Sequence, residues 1–165
     1  MSLHKIISGG QTGVDRAALD AAISVSIAHG GWCPKGRLAE LGTTIPTKYM
    51  LNETSSPDFS ERTKRNIQDS DGTLIIVPSI PIQVTDGTLL TLEEVKSKNK
   101  PYLLIALSEI RSQNSSQMIF QWITDHAIET LNIAGPRESQ SPGIYQASFD
   151  LLKKALEYIT LKQTY

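Results

Sequence analysis

The sequence has few of the features that mark secreted, membrane-bound or nucleic-acid-binding proteins. It contains a single cysteine, Cys33, so no disulfide can form within the chain, which fits a reducing compartment. No apolar run approaches the about 20 residues of a membrane span, and the first strand follows without a signal-peptide pattern. Sixteen basic against seventeen acidic residues give a net charge of −1, which provides no bulk attraction to nucleic acid or membrane. We expect a cytoplasmic protein without nucleic-acid or membrane partners.

Isolated reactive side chains also offer little chemistry. The three histidines lack the spacing of metal ligands, so no metal site is expected (His4, His29 and His126). Cys33 has no neighbouring histidine and is interpreted as a small buried group rather than a nucleophile. Glu53 and Asp71 are candidates for hydrogen bonds to a ligand, although capping and turn roles are equally compatible with the sequence.

Apolar patterning predicts strands that alternate with helices. Strands are expected near residues 5–7, 27–32, 73–77, 102–107 and 131–134, with a short one at 49–54. Helices are expected near residues 14–26, from 56 to about 67, 86–98, around 118–128 and 141–162. Residues 33–48 read as a long surface loop. The alternation indicates one domain over residues 1–165, with an open, mostly parallel sheet and helices on both faces.

Two ion or polar pairs are predicted on these helices. Arg16 and Asp20 are four residues apart on the first helix, and Arg62 and Asn66 have the same spacing on the second. Side chains at this spacing are neighbours on a helix surface.

The glycine-rich stretch from Ser8 to Arg16 predicts an anion site. It joins a short apolar strand to a helix, and the unpaired first amides of a helix attract phosphate. Its Gly-Gly-x-x-Gly spacing is neither a dinucleotide fingerprint nor a P-loop, so a tight turn without a ligand is the alternative. Polar residues among the glycines favour a ligand, and the candidates are Gly9, Gly10, Gln11, Thr12, Gly13, Asp15 and Arg16.

Three more segments should reach the same edge of the sheet. They are residues 30–37, 85–88 and 135–139, which follow the second, central and last predicted strands. Ligands in such folds bind outside the carboxyl ends of the strands. Lys35, Arg37 and Arg137 are therefore expected to converge on one polyanionic ligand.

Taken together, these segments resemble the molybdenum-cofactor carrier protein family. The similar segments cover nearly the whole chain: residues 8–20, 31–40, 49–54, 62–67, 70–73 and 131–139. The resemblance implies a Rossmann-like three-layer αβα sandwich and a homodimer or homotetramer. It also implies binding of molybdenum cofactor, or a related phosphorylated pterin or nucleotide, for storage or delivery without chemistry.

In this interpretation the helix N-terminus at Gly13 holds the ligand's phosphate, and the three cations meet its remaining charge. Further candidates on the similar segments and glycine turns complete the predicted ligand-binding set: Glu53, Arg62, Asn66, Gly87, Thr88, Glu138 and Ser139.

A nucleotide-processing hydrolase or a nucleotide-sensing module is the alternative. The same fold resembles that of cytokinin-activating phosphoribohydrolases, which use a Pro-Gly-Gly-x-Gly-Thr turn followed closely by acidic residues. Residues 85–91 lack the Pro-Gly-Gly, and Glu93 and Glu94 come later on the helix. A glycosidic hydrolase needs a carboxylate at the ribose carbon, so this departure favours a carrier.

Overall fold

Parallel strands build the sheets of this protein, in a computed structural model that describes residues 2–83, 87–110 and 114–164. The strands in these ranges are β1 (Lys5–Ile7), β2 (Ala28–Gly30), β3 (Trp32–Cys33), β4 (Asn52–Glu53), β5 (Gly72–Val77), β6 (Tyr102–Ala106) and β7 (Thr130–Ala134). The central sheet has the order β2-β1-β7-β5-β6, whereas β3 and β4 form a separate two-stranded ribbon. Every pairing between these strands is parallel. The predicted α/β class is confirmed.

Helices cover both faces of the central sheet and complete the three-layer sandwich. The helices are α1 (Val14–Ser24), α2 (Phe59–Gln68), α3 (Gly87–Ser97), α4 (Ser115–Asp125) and α5 (Ile144–Gln163). Leu74 and Ile76 of β5 share a core with residues of α1, α4 and α5. Ile75 and Val77 instead pack with residues of α2 and α3. This alternation explains why β5 is apolar throughout, as predicted for a central strand.

The strand order reverses between β7 and β5. If β7 is counted as the first strand, the order reads 3-2-1-4-5, which is the doubly wound arrangement. The turn after β7, from Gly135, then takes the place of the first strand-to-helix turn. Ser2 and Gln163 line the same groove, so the two ends of the described chain lie close together.

The predicted strand over residues 27–32 is divided at Gly31. Gly31 has a φ of +124°, and a Cβ there would overlap the Ser8 carbonyl oxygen. The chain consequently leaves the central sheet after Gly30, and Trp32 pairs with Asn52 in the ribbon. The prediction of one strand was wrong because the apolar pattern continues across the turn.

The segment predicted as a surface loop carries a small core. Residues 34–51, hereafter the 34–51 loop, contain two 3₁₀ turns, Lys35–Arg37 and Glu40–Gly42. The buried side chains of this loop are Ala39, Ile45 and Tyr49. They cluster with Leu19 of α1 and Cys33 of β3. Burial raises the pKa of the Cys33 thiol, and the cysteine is a buried group as interpreted from the sequence.

Several helix boundaries differ from the sequence prediction. The second helix begins at Phe59 because the Asp58 carboxylate caps it, accepting a 2.9 Å hydrogen bond from the Ser60 amide. The first helix ends at Ser24, and α4 ends at Asp125 before Ile128. Regular apolar spacing continues beyond these two ends. The last helix, expected from residue 141, begins at Ile144.

The predicted Arg16–Asp20 pair does not form between these described residues. Arg16 Nε donates to the Gly10 carbonyl oxygen at 3.1 Å. Asp20 instead accepts hydrogen bonds from the hydroxyls of Tyr49, at 2.9 Å, and Tyr145, at 2.6 Å. Burial and the Asp20 carboxylate raise the pKa of both phenols. Tertiary partners therefore replaced the local pair.

A search of the described helices for a bilayer-spanning segment finds none of sufficient length and apolarity.

Candidate functional site

A polar cavity of about 30 Å³ lies where the strand order reverses. It opens at the carboxyl end of β7, beside the turn after β1 and against α2 and α3. The lining residues are Gly9, Gln11, Asp15, Arg62, Thr63, Asn66, Gly87, Thr91, Asn132, Ile133, Ala134, Gly135 and Arg137. This is the position in which doubly wound proteins bind their ligands.

A buried ion pair forms one wall of the cavity. Arg62 Nη1 lies 2.8 Å from Asp15 Oδ2, and both side chains are largely buried. The same carboxylate oxygen accepts a hydrogen bond from the Gln11 amide at 3.2 Å. The guanidinium lies against Gly9, where any Cβ would overlap it. The glycine is thus required for the arginine to reach Asp15.

Asn66 does not pair with Arg62, contrary to the prediction. Its side chain accepts a 2.7 Å hydrogen bond from the Trp32 amide and donates a 3.0 Å bond to the Trp32 carbonyl. These two bonds join α2 to the β3 ribbon. Asn66 also lines the cavity.

In the side chain of Gln11, the oxygen has hydrogen-bond partners and the nitrogen has none among the described residues. Its Oε1 accepts hydrogen bonds from the amides of Thr12, at 3.0 Å, and Glu40, at 2.9 Å. Its Nε2 is buried and has no hydrogen-bond partner among the described residues. Only 4% of Gln11 is exposed, and the residue lines the cavity.

The start of α1 has a partner from the chain itself, where the sequence predicted a phosphate. The Val14 amide donates to the Pro136 carbonyl oxygen at 3.2 Å. A Cβ on Gly13, whose φ is +78°, would overlap that oxygen. The Glu138 amide donates to Thr12 Oγ1 at 3.1 Å, which holds the turn after β7 across this helix end.

Glu40 was not among the predicted site residues, yet it joins three segments beside the cavity. Its carboxylate accepts hydrogen bonds from the hydroxyls of Thr12 and Ser139 and from the Ser139 amide at 3.2 Å. Burial by itself raises the pKa of this carboxyl. The hydrogen bonds from Ser139 and Thr12 and the charge of Arg137 outweigh burial, so the pKa is lowered. Glu40 lies in one of the family-like segments, which was the available signal.

Only one of the three cations expected to converge lines the cavity. Arg137 does so, with its guanidinium 5.6 Å from the Phe59 ring centre. Lys35 is exposed and does not line it. Arg37 donates to the carbonyl oxygens of the 34–51 loop at Ile45, Pro46 and Tyr49. Arg62 is the second cation of the cavity.

Seven predicted site residues line the cavity: Gly9, Gln11, Asp15, Arg62, Asn66, Gly87 and Arg137. The other ten do not: Gly10, Thr12, Gly13, Arg16, Lys35, Arg37, Glu53, Thr88, Glu138 and Ser139. Side chains that sequence reasoning missed are Thr63, Thr91 and Asn132. Asn132 had a signal, because it interrupts an apolar strand.

Three acidic residues accept hydrogen bonds from backbone amides of the chain itself. Glu138 accepts hydrogen bonds from the Gly143 and Tyr145 amides, at 2.6 and 2.9 Å, at the start of α5. Glu53 accepts from the Gly36 amide at 2.6 Å. Asp71 precedes β5 at the opposite edge of the sheet and accepts from the Thr130 amide at 2.8 Å. This bond joins the start of β5 to the start of β7.

A larger groove of about 370 Å³ lies at the opposite edge, between α4 and the chain ends. Lys162 is the charged residue among those that line this groove. No carboxyl end of a described strand lines it, in contrast to the smaller cavity. We therefore take the smaller cavity as the candidate site. In the described ranges, no three His, Cys, Asp or Glu side chains cluster in a way that could hold a metal ion.

Comparisons with known proteins identify a family and a similar solved structure. Residues 6–156 match the model of the circularly permutated YpsA SLOG family. A solved structure from Syntrophus aciditrophicus SB, named "Putative molybdenum carrier protein", is 49% identical over 94% of this chain and 96% of its own. The two structures superpose with a TM-score of 0.88. Among curated proteins, no match is found.

Proposed function

This chain belongs to the circularly permutated YpsA SLOG family, and on that premise we propose that it carries a phosphorylated small molecule. The proposed cargo is molybdenum cofactor or a related phosphorylated pterin or nucleotide, held without catalysis. The observation that carries the proposal is the polar cavity at the strand-order reversal. A relative at 49% identity named as a molybdenum carrier protein supports the choice of cargo.

The charges on the cavity wall favour an anionic ligand. Arg62 and Asp15 neutralise each other, and Arg137 adds a positive charge. The buried Gln11 Nε2 adds an uncharged donor. Donors fixed by a protein in a buried site bind oxyanions strongly because they need no reorganisation.

The size of the cavity restricts which part of the cargo it holds. A water molecule needs about 10–15 Å³ of cavity volume, so 30 Å³ admits one small polar group. The residues present therefore fit the phosphate or another oxyanion of the cofactor. A fused pterin ring exceeds this volume and belongs at the mouth.

Titration calorimetry with molybdenum cofactor, compared with ATP and ADP-ribose, tests the proposal. We expect micromolar or tighter binding of the cofactor and weaker binding of the two nucleotides. Absence of cofactor binding at micromolar concentration would contradict it.

Arg137→Ala is expected to weaken cofactor binding by about 1.5–3 kcal/mol, because it removes a hydrogen bond to a charged group. Lys35→Ala removes an exposed cation that does not line the cavity, and is the matched control. Calorimetry on both variants checks the difference. Equal affinities would remove Arg137 from the site.

The hydrolase alternative lacks a free carboxylate at the cavity. Asp15 is the acidic residue on the described wall, and it is bound to Arg62. Glu93 and Glu94 of α3 do not line it. Release of free base or phosphate from a nucleotide panel, abolished by Asp15→Asn, would establish the hydrolase instead.

Assembly and location stay predictions. We propose a homodimer or homotetramer, as the family resemblance implies, and a cytoplasmic location, which fits the single cysteine of the sequence. Light scattering on the purified protein measures the assembly, and a monomer at micromolar concentration would contradict it.

A further inference from the structure

The orientation of the Gln11 side chain is determined by its neighbours. Two backbone amides, of Thr12 and Glu40, donate to one side-chain atom at 3.0 and 2.9 Å. An amide nitrogen cannot accept these bonds, so that atom must be the oxygen. Nε2 therefore occupies the other position, where its two N–H groups can only donate.

That donor is left unsatisfied in a site where this is costly. Gln11 is 4% exposed, and Nε2 has no hydrogen-bond partner among the described residues. Buried donors are nearly always paired, and an unpaired one needs an explanation. Because Gln11 lines the polar cavity, a ligand that enters the cavity would provide the acceptor.

The surroundings specify the kind of acceptor. Asp15 is the carboxylate on the described wall, and its pair with Arg62 leaves no net charge there. Arg137, on the same wall, adds a second guanidinium, whose charge also acts on the nearby Glu40 carboxylate. The guanidinium groups and Gln11 Nε2 can only donate hydrogen bonds, so they fit a ligand group that only accepts them. The volume of about 30 Å³ admits one small group. A single oxyanion satisfies the donor, the charge and the volume together.

We propose that this cavity binds one tetrahedral oxyanion, and that Gln11 Nε2 is the donor that recognises one of its oxygens. The inference rests on the proposed carrier function and names the chemical group that the cavity accepts. The oxyanion has two possible sources: the phosphate ester of a phosphorylated heterocycle, or a free anion of the molybdate type. Affinities for AMP, inorganic phosphate and molybdate distinguish the two sources.

Gln11→Glu tests the donor with little change in shape. One carboxylate oxygen still accepts from the Thr12 and Glu40 amides, while the other replaces Nε2 and faces the oxyanion. We expect the affinity for the best of the three probes to fall about 10- to 100-fold, as for loss of a hydrogen bond to a charged group. Gln117→Glu makes the same chemical change at an exposed position of α4 and should leave affinity unchanged.

Side-chain amide NMR of the unmodified protein tests the same contact if Gln11→Glu fails to fold. The Gln11 Nε2 resonances should shift as molybdate, phosphate or AMP is added, while those of Gln117 stay in place. An unmoved Gln11 signal during saturable binding would overturn the inference, as would equal affinity of Gln11→Glu and the unmodified chain.

Failure of this inference is distinguishable from failure of the carrier function. If molybdenum cofactor binds but Gln11→Glu binds it equally well, the oxyanion contact is wrong and the carrier function stands. If neither the cofactor nor any of the three probes binds, both are wrong.

Discussion

Arg37 and Arg62 show two uses of a guanidinium in neighbouring regions of this protein. Arg37 lies in the 34–51 loop and donates to three carbonyl oxygens of that loop within 3.0 Å. Arg62 lies on the cavity wall and pairs with the buried Asp15 carboxylate at 2.8 Å. An irregular loop has many carbonyl oxygens without ladder partners, and an arginine can satisfy several of them.

The contrast teaches that a cation beside a glycine turn is not by itself a ligand contact. Arg37 and Arg137 both follow strand ends in sequence, but only Arg137 lines the cavity. The division at Gly31 is the physical reason, because it directs the chain of the 34–51 loop out of the central sheet. The loop then builds its own core with Cys33 and Leu19. The following experiments test this division between the cavity edge and the 34–51 loop.

Gly13→Val should have the largest effect on stability. Gly13 has a φ of +78°, and its Cβ would overlap the Pro136 carbonyl oxygen, which belongs to the backbone and cannot move away alone. We expect a loss of about 4 kcal/mol or failure to fold, together with loss of ligand binding. Denaturant unfolding measures it.

Gly87→Ala is the control for Gly13→Val. No described atom lies within 4 Å of a Cβ at Gly87, and its φ is not positive. A change within about 0.5 kcal/mol is expected, as for an unstrained surface substitution. Equal losses in the two variants would show that the contact with Pro136 does not hold the cavity edge together.

Arg62→Met should cost about 3 kcal/mol, because it leaves the Asp15 carboxylate buried without its guanidinium partner. Asp15→Asn should restore part of that loss in the double variant. Unfolding free energies of the four proteins in this cycle measure the coupling. Strict additivity would mean that the pair contributes nothing to the cavity edge.

Arg37→Ala should cost about 2 kcal/mol of stability through the unsatisfied carbonyl oxygens of the 34–51 loop. Ligand affinity should stay within twofold, in contrast to Arg137→Ala. Arg37→Lys is the matched variant: it keeps the charge without the fork geometry, and should recover less than half of the loss. A large loss of affinity in Arg37→Ala would place the 34–51 loop in the binding site.

The pH dependence of stability should show the smallest effect, at Glu40. Its pKa is lowered in the folded protein, so its ionised form stabilises the fold above the ordinary glutamate pKa of about 4.3. That contribution is lost as the pH falls through this value toward the lowered pKa. Glu40→Gln should unfold with a shallower acid limb than the unmodified chain, measured by thermal unfolding between about pH 6 and 3. An identical acid limb would contradict the assignment.

Much of the fold was predictable because local patterns and tertiary packing agree. The apolar run of β5 predicted a central strand, and it is buried on both faces. The glycine turn after β1 and the turn after β7 were predicted at one edge of the sheet, and residues of both line the cavity. Parallel strands bring their carboxyl ends to the same edge, so this prediction needed only the order of elements.

The partners of individual polar side chains were not predictable in the same way. The sequence suggested Arg16 with Asp20 and Arg62 with Asn66, because each pair is close on one helix. In the structure Asp15 holds Arg62 from another helix, 47 positions away in the chain. Glu40 accepts hydrogen bonds from Thr12, 28 positions away, and from Ser139, 99 positions away, and no local pattern records these contacts.

The sequence by itself determined the class of the fold, the edge of the sheet at which the glycine turns after β1 and β7 meet, and the family resemblance. These depend on periodic burial and on glycine turns, which are properties of neighbouring residues. Only the tertiary structure decided that the turn after β7 covers the start of α1 and that Arg37 donates to carbonyl oxygens of its own loop. It also decided that the buried Nε2 of Gln11, a residue of the cavity wall, has no hydrogen-bond partner among the described residues. Each of these features depends on groups that are not close neighbours in the chain. Tertiary packing brings such groups together, and the local sequence does not record it.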